Sequence, residues 1–348
     1  MPDGDFPNRT LRNASELVQA GLTRAEDLPA LQAVGARYAV AVPAALRALI
    51  EAPDDPIGLQ ILPDARELRS TPDESIDPVG DDAFSPLKGV VHRYADRVLI
   101  KPLLICPVYC RFCFRREHVG PDGGVLTAAE LEAAIDYVRQ RPDIREVIFT
   151  GGDPLMLSPR RLGALVRAIE AVPHVETLRV HTRLPVADPG LVTRALAESL
   201  TTEKPLFLAV HANHAREFSQ AAQAALRLLS RQGIPLLGQS VLLRGVNDSA
   251  DALEALFRAM LRARIKPYYL HQLDAAPGTA RFLVPIAEGR ALLEQLRGRI
   301  TGLAWPTYVL DIPGGHGKVP VGPDYLDDGL VRDPAGTWHK LAHTAHGG

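Results

Sequence analysis

Every cysteine of this 348-residue chain lies in one stretch, CPVYCRFCFRRE (106–117), with Cys106, Cys110 and Cys113 spaced C-x3-C-x2-C. Thiolates bind metals, exchange disulfides or act as nucleophiles, and the spacing narrows the choice. A structural zinc site takes four protein ligands, often as two C-x2-4-C pairs, so here a distant histidine would have to complete it. A redox pair made from Cys110 and Cys113 would leave Cys106 unused. A four-iron cluster is usually held by four thiolates. Three thiols would hold three irons and leave the fourth open to another ligand.

Other residues able to do chemistry fall at regular intervals after the cysteines. Short apolar or β-branched runs recur at 97–105, 146–150, 177–181, 206–211, 235–243, 266–272 and 306–312, with amphipathic helical patterns between most of them. This alternation predicts parallel βαβ units with right-handed crossovers, and so many in succession favour a barrel or partial barrel. Parallel α/β folds build their sites at the C-terminal ends of the strands. Those ends carry Cys106, then GGDPL (151–155), His181 with Arg183, His211 with Asn213 and His214, Gln239, His271 with Asp274, and Asp311 followed by PGGHGK. One such residue could be a cap or a satisfied core group. Seven strands converging on one rim point to an enzyme.

The elements around this core are less regular. Residues 1–85 read as a small helical extension followed by a proline-rich, acidic connector, 86–303 as the barrel, and 304–348 as a C-terminal segment ending in a polar tail from Arg332. A hydrophobic content of 46% supports a sizeable core, and a net charge of -2 gives no electrostatic case for a nucleic-acid or membrane partner. No window holds the ~18 apolar residues of a membrane helix. Residues 1–20 lack the basic start and apolar run of a signal peptide. With three clustered thiols and no disulfide framework, the expected compartment is the cytoplasm.

C-x3-C-x2-C after the first strand of a (β/α) domain resembles the signature of the radical S-adenosylmethionine (SAM) enzymes. In that family the open iron is chelated by SAM, which the reduced cluster cleaves to a 5′-deoxyadenosyl radical. GGDPL resembles the family's glycine-rich segment, where backbone approaches the methionine amino group. The segments HRYADRV, CRFCFRRE, FTGGDPLM, HTRLPV, QSVLLRGVND, KPYYLHQLD and YVLDIPGGHGKVPV, in order over roughly residues 88–326, resemble lysine 2,3-aminomutase. The resemblance implies an α/β fold, a radical SAM partial (β/α)6 barrel with an N-terminal helical extension and a C-terminal segment carrying the lysine that binds pyridoxal phosphate (PLP).

It also implies a set of roles. Cys106, Cys110 and Cys113 would hold the [4Fe–4S] cluster, and Gly151, Gly152, Asp153, His211 and Gln239 would face SAM. Of six lysines, Lys318, ending PGGHGK, matches the Schiff-base lysine, while Arg93 and Arg97 match the phosphate-binding pair. Arg115 would bind the substrate α-carboxylate, and Asp274 with Asp311 its distal ammonium. Two aspartates suit a dehydrated –NH3+ and would repel the distal carboxylate of glutamate, which favours lysine. The implied reaction is migration of the amino group from C2 to C3, giving β-lysine, with a reductant such as flavodoxin or ferredoxin as partner. Longer members carry extra cysteines for a structural zinc between subunits. Here Ser249 stands at one such position and the C-terminal cysteines are missing, so no zinc is expected and a homo-oligomer stays an open expectation. The short length resembles the compact branch that acts with translation elongation factor P. A metabolic role, that role, and a 2,3-aminomutase acting on glutamate are the alternatives at this point.

Overall fold

The computed structural model describes residues 8–341. Strands β1 (Val90–Tyr94), β2 (Arg97–Leu103), β3 (Glu146–Gly151), β4 (Thr177–Thr182), β5 (Leu206–His211), β6 (Leu236–Val241), β7 (Ile265–His271), β8 (Thr307–Ile312) and β9 (Gly317–Pro320) form one sheet in sequential order. Neighbours from β2 to β8 pair in parallel, and antiparallel hairpins flank them as β1–β2 and β8–β9. The fold is the expected partial barrel, left open between β1 and β9.

The expected strand cores appear, with several ends shifted by one or two residues in either direction. Alternate residues such as Val98, Ile100, Val147, Phe149, Leu178, Val180, Leu208 and Val210 are buried in the core beneath the surrounding helices. Residues of opposite parity are left to face the barrel interior. The crossover helices start at side-chain caps, with Thr127, Ser158, Ser219 and Ser249 each accepting the backbone N–H three residues on. Ser249 thus caps Ala250–Arg262, whose Leu253, Leu256, Phe257 and Met260 form its buried stripe.

Three elements depart from the sequence expectation. The edge strands β1 and β9 were not anticipated, being short and only partly buried. The polar tail from Arg332 contributes Trp338–Lys340, which pairs with Leu330–Arg332, itself paired with Leu326–Asp327, as a small antiparallel sheet. Strands of two or three residues are too short to show a period of two. Residues 342–348 of that tail lie outside the described residues.

The extension contributes helices Ala14–Gln19, Leu28–Arg37, Ala44–Arg47 and Gly58–Ile61. Their buried side chains, including Leu17, Leu46, Ile57 and Ile61, share a cluster with Val108 of the cysteine loop and Ala187 after β4. The extension is therefore a cap over the cysteine end of the barrel. A charged anchor reinforces it. Glu67, with no exposed surface, accepts from Arg111 Nε at 3.0 Å and Nη2 at 2.5 Å, and also pairs with Arg116. Arg111 in turn donates to the Ala39 carbonyl at 2.8 Å. Burial opposes ionisation of Glu67, but Arg111 and then Arg116 hold its carboxyl below the usual range. That contribution is present above the unfolded pKa and is lost as pH falls through the depressed folded value. Glu67→Gln leaves buried guanidiniums without their counter-charge, so an apparent loss of about 3–5 kcal/mol is expected in chemical denaturation.

Candidate active site

The cysteine loop follows β2 and turns back beneath the extension. Cys113 N–H bonds Cys110 O at 3.1 Å, and the Cys106 and Cys113 side chains pack beside Tyr109 and Val119. Burial, then the neighbouring thiols, raises Cys106 well above an ordinary thiol and Cys113 to about 11. Thiols so placed stay protonated unless a metal charge replaces the proton. Among the described residues no group of three His, Cys, Asp or Glu side chains is placed to hold a single metal ion. Arg183, buried after β4, donates to Cys110 Sγ at 2.7 Å and is held by Gln60 and Glu217. The donor set fits an iron–sulfur cluster.

The GGD turn lies directly against this loop. Gly152 N–H bonds Leu103 O at 2.8 Å and Asp153 N–H bonds Ile105 O at 2.9 Å. A Cβ at Gly152 would collide with the Ile105 backbone, and Gly151 has φ +106°. Asp153 is buried and fully engaged, accepting from the Thr182 hydroxyl and from the N–H groups of Leu155, Arg183 and Leu184. Its carboxylate therefore braces β3 to β4, which leaves the turn's backbone as the part able to meet a ligand. His211, at the end of β5, stacks on Phe112 with centroids 5.7 Å apart and planes at 17°. Burial holds His211 and His181 well below an ordinary imidazole, and Nε2 of each is buried with no partner. Gln239, in β6, is buried beside His211 in the parallel register.

At the other end of the sheet, β8 and β9 place Asp311 directly opposite Lys318. Lys318 Nζ pairs with Asp311 and lies 3.2 Å from His271 Nδ1. Burial, then the Lys318 charge, lowers the His271 pKa, so its neutral ring accepts from the ammonium. The Lys318 backbone N–H bonds the Tyr94 hydroxyl at 2.8 Å. Burial opposes ionisation of Asp311, yet His271 and Lys318 bring its carboxyl down to about 2. Asp274 behaves oppositely: burial, then Asp311, pushes it up to about 7. A cavity of about 330 Å³ lies beside both aspartates, with apolar walls that include Leu273, Leu283, Pro285 and Ile286.

The two expected phosphate arginines part company. Arg93 points inward and donates to Val79 O at 2.7 Å and Asp81 Oδ1 at 2.8 Å. Arg97 is a third exposed, pairs with Asp96 and lies 3.7 Å over the Tyr94 ring. Arg115 donates to Asp81 Oδ2 at 3.1 Å. Arg93 Nε and Arg115 Nε are buried without partners, the donor capacity that anionic groups would use. Sequence reasoning passed over Asp81 and Tyr94, and left His271 without a role. It also set aside Lys101, which is partly buried in β2 beside Gly151, with its pKa lowered by burial and then by Arg115. Only His271 carried a signal, its position at a strand end.

Comparison with known proteins decides the family. Residues 100–257 match the model of the Radical SAM superfamily, and residues 293–329 match that of Lysine-2,3-aminomutase. L-lysine 2,3-aminomutase of Acetoanaerobium sticklandii is 38% identical over 277 residues, 80% of this chain and 67% of that one. The chain belongs to the lysine 2,3-aminomutase family. The Clostridium subterminale L-lysine 2,3-aminomutase is 39% identical over 274 residues, 79% of this chain and 66% of its own length. Glutamate 2,3-aminomutase of Clostridioides difficile is 34% identical over 298 residues, 85% of this chain and 70% of its own. The chain thus spans about two thirds of the length of the lysine enzymes it matches. Lysine 2,3-aminomutases are isomerases of the radical SAM type, and membership brings their cofactors, a [4Fe–4S] cluster, SAM and PLP. Among the described residues, no helix is long and apolar enough to cross a membrane.

Proposed function

We propose that this chain is a PLP-dependent 2,3-aminomutase that converts L-lysine to β-lysine. The observation that carries the reading is the pair Asp274 and Asp311 beside an apolar cavity, with the Lys318 ammonium already lodged against Asp311. Asp311 already pairs with one alkylammonium, so the two acids suit another, and the walls of the adjoining cavity suit a methylene chain. The distal carboxylate of glutamate would meet two acids there.

When bound, the reduced cluster and SAM supply the 5′-deoxyadenosyl radical, and PLP supplies the carbonyl that binds the migrating amino group. In this reading Cys106, Cys110 and Cys113 hold the cluster, and the Gly151–Gly152 backbone, His211 and Gln239 orient SAM. Lys318 binds PLP, with Arg93 on its phosphate and Arg97 behind Tyr94 steadying the same end. His271 holds the Lys318 amine and accepts from it. Arg115 takes the α-carboxylate while Asp274 and Asp311 take the ε-ammonium. Fixing both poles of lysine sets which hydrogen faces the radical, which is what positioning can contribute. Asp153 enters only by bracing the GGD turn.

The test is anaerobic incubation of the cluster-loaded enzyme with SAM, PLP, a reductant and either lysine or glutamate, followed by chromatographic detection of the β-amino acid. β-Lysine is expected from lysine and no product from glutamate. β-Glutamate, or no product with a full cluster, would overturn the assignment.

A further inference from the structure

The connector before β1 reads in sequence as a proline-rich, acidic stretch, yet its residue Asp81 is 8% exposed and lies inside the site. One carboxylate serves both anion-binding arginines: Oδ1 accepts from Arg93 Nη2 at 2.8 Å and Oδ2 from Arg115 Nη2 at 3.1 Å. The two side chains are only 11% and 14% exposed, so their mutual repulsion is poorly screened.

Asp81 is itself firmly held. Its N–H and that of Asp82 bond the two carboxylate oxygens of Asp77 at 2.8 and 2.9 Å, and its carbonyl accepts from the Ser85 hydroxyl at 2.8 Å. Gly80 has φ +70°, and a Cβ there would collide with the backbone of Gly314 and Gly315, in the loop that carries Lys318. A Cβ at Gly315 would in turn collide with Phe84. The connector and the lysine loop are interlocked, so Asp81 has a fixed position relative to Lys318.

We propose that Asp81 is a positioning residue that keeps the two anion sites apart, assigning Arg93 to the cofactor phosphate and Arg115 to the substrate carboxylate. This rests on the carboxylate role given to Arg115 above. A phosphate monoester carries nearly twice the charge of a carboxylate and would attract both guanidiniums. Asp81 occupies one Nη2 of each and anchors Arg115 away from the phosphate. Both Nε groups remain available, one for each anion. Without that anchor Arg115 turns toward the phosphate and the amino acid loses its partner.

The experiment uses the holoenzyme. Lysine affinity is read from the spectral change of bound PLP without SAM, where no turnover occurs, alongside PLP affinity and the steady-state constants. Asp81→Asn is expected to weaken lysine binding and raise KM at least tenfold, with PLP affinity and kcat within about threefold of wild type. Asp81→Glu should recover part of the loss. Unchanged lysine affinity in Asp81→Asn overturns the proposal. So does a parallel decline of PLP affinity, kcat and thermal midpoint in both variants, which would make Asp81 a structural brace alone. Arg115→Met separates the two levels. If it leaves lysine affinity intact, the carboxylate assignment itself fails; if it weakens lysine while Asp81→Asn does not, only the role of Asp81 fails.

Discussion

Lys318→Ala is expected to yield a folded, cluster-loaded protein that holds no PLP covalently and turns over slower by about 10⁴-fold or more, the scale of losing a group that acts as one unit with its partners. The geometry singles out this lysine. Its amine lies between Asp311 and the neutral His271, and its backbone is tied to Tyr94. Lys88 is engaged at the surface with Glu130, and Lys204 and Lys266 donate to backbone carbonyls away from the rim. Lys340 belongs to an exposed C-terminal strand. Lys101 is the one competitor, because burial and Arg115 favour its neutral, nucleophilic form. Borohydride reduction of the PLP-loaded enzyme followed by peptide mapping decides between them. The label should sit on Lys318 in the wild type and be absent from the variant. A label on Lys101 in either protein would sink the assignment.

The seven-residue interval between Asp311 and Lys318 shows what a sequence can and cannot convey. The interval is visible in the chain, but its meaning is a hairpin register in which the two residues face each other across β8 and β9. The parallel strands and the rim of polar residues were legible because each depends on a local pattern, a run of apolar residues ended by a polar one. Glu67 and Asp81 had no such pattern. Glu67 meets Arg111 44 residues away, and Asp81 meets Arg115 34 residues away. Both acids sit among other acids in a proline-rich stretch, where composition alone suggests solvated charge. Their burial follows from how the extension folds back on the cysteine loop, a tertiary fact with no local periodicity. Arg97 shows the converse. Its match to a family position suggested a phosphate ligand, and its guanidinium lies over the ring of Tyr94, whose hydroxyl accepts from the Lys318 N–H.

The larger test of substrate choice lies in the two aspartates. Asp274→Asn and Asp311→Asn should each lower kcat/KM for lysine by about 10²–10³-fold, as expected when a buried ion pair loses one partner. Asp274 adds a pH signature. In the free enzyme its pKa is raised to about 7 by burial and by Asp311, yet it must be ionised to hold an ammonium. Binding therefore strengthens as pH rises, and kcat/KM should fall as pH drops through about 7, since this ratio reports groups of the free enzyme. That limb should vanish in Asp274→Asn; its persistence would assign it to another group. Stability should move the opposite way. A carboxyl whose folded pKa is raised binds a proton that the unfolded chain has lost, so folding weakens as pH climbs from the usual carboxylate range to about 7. Asp274→Asn removes that penalty and should be more stable than the wild type at neutral pH while binding lysine less well. A residue kept for structure would lose stability when replaced. One kept for an ammonium ligand should lose affinity and gain stability, and denaturation and binding measured on the same variant distinguish the two.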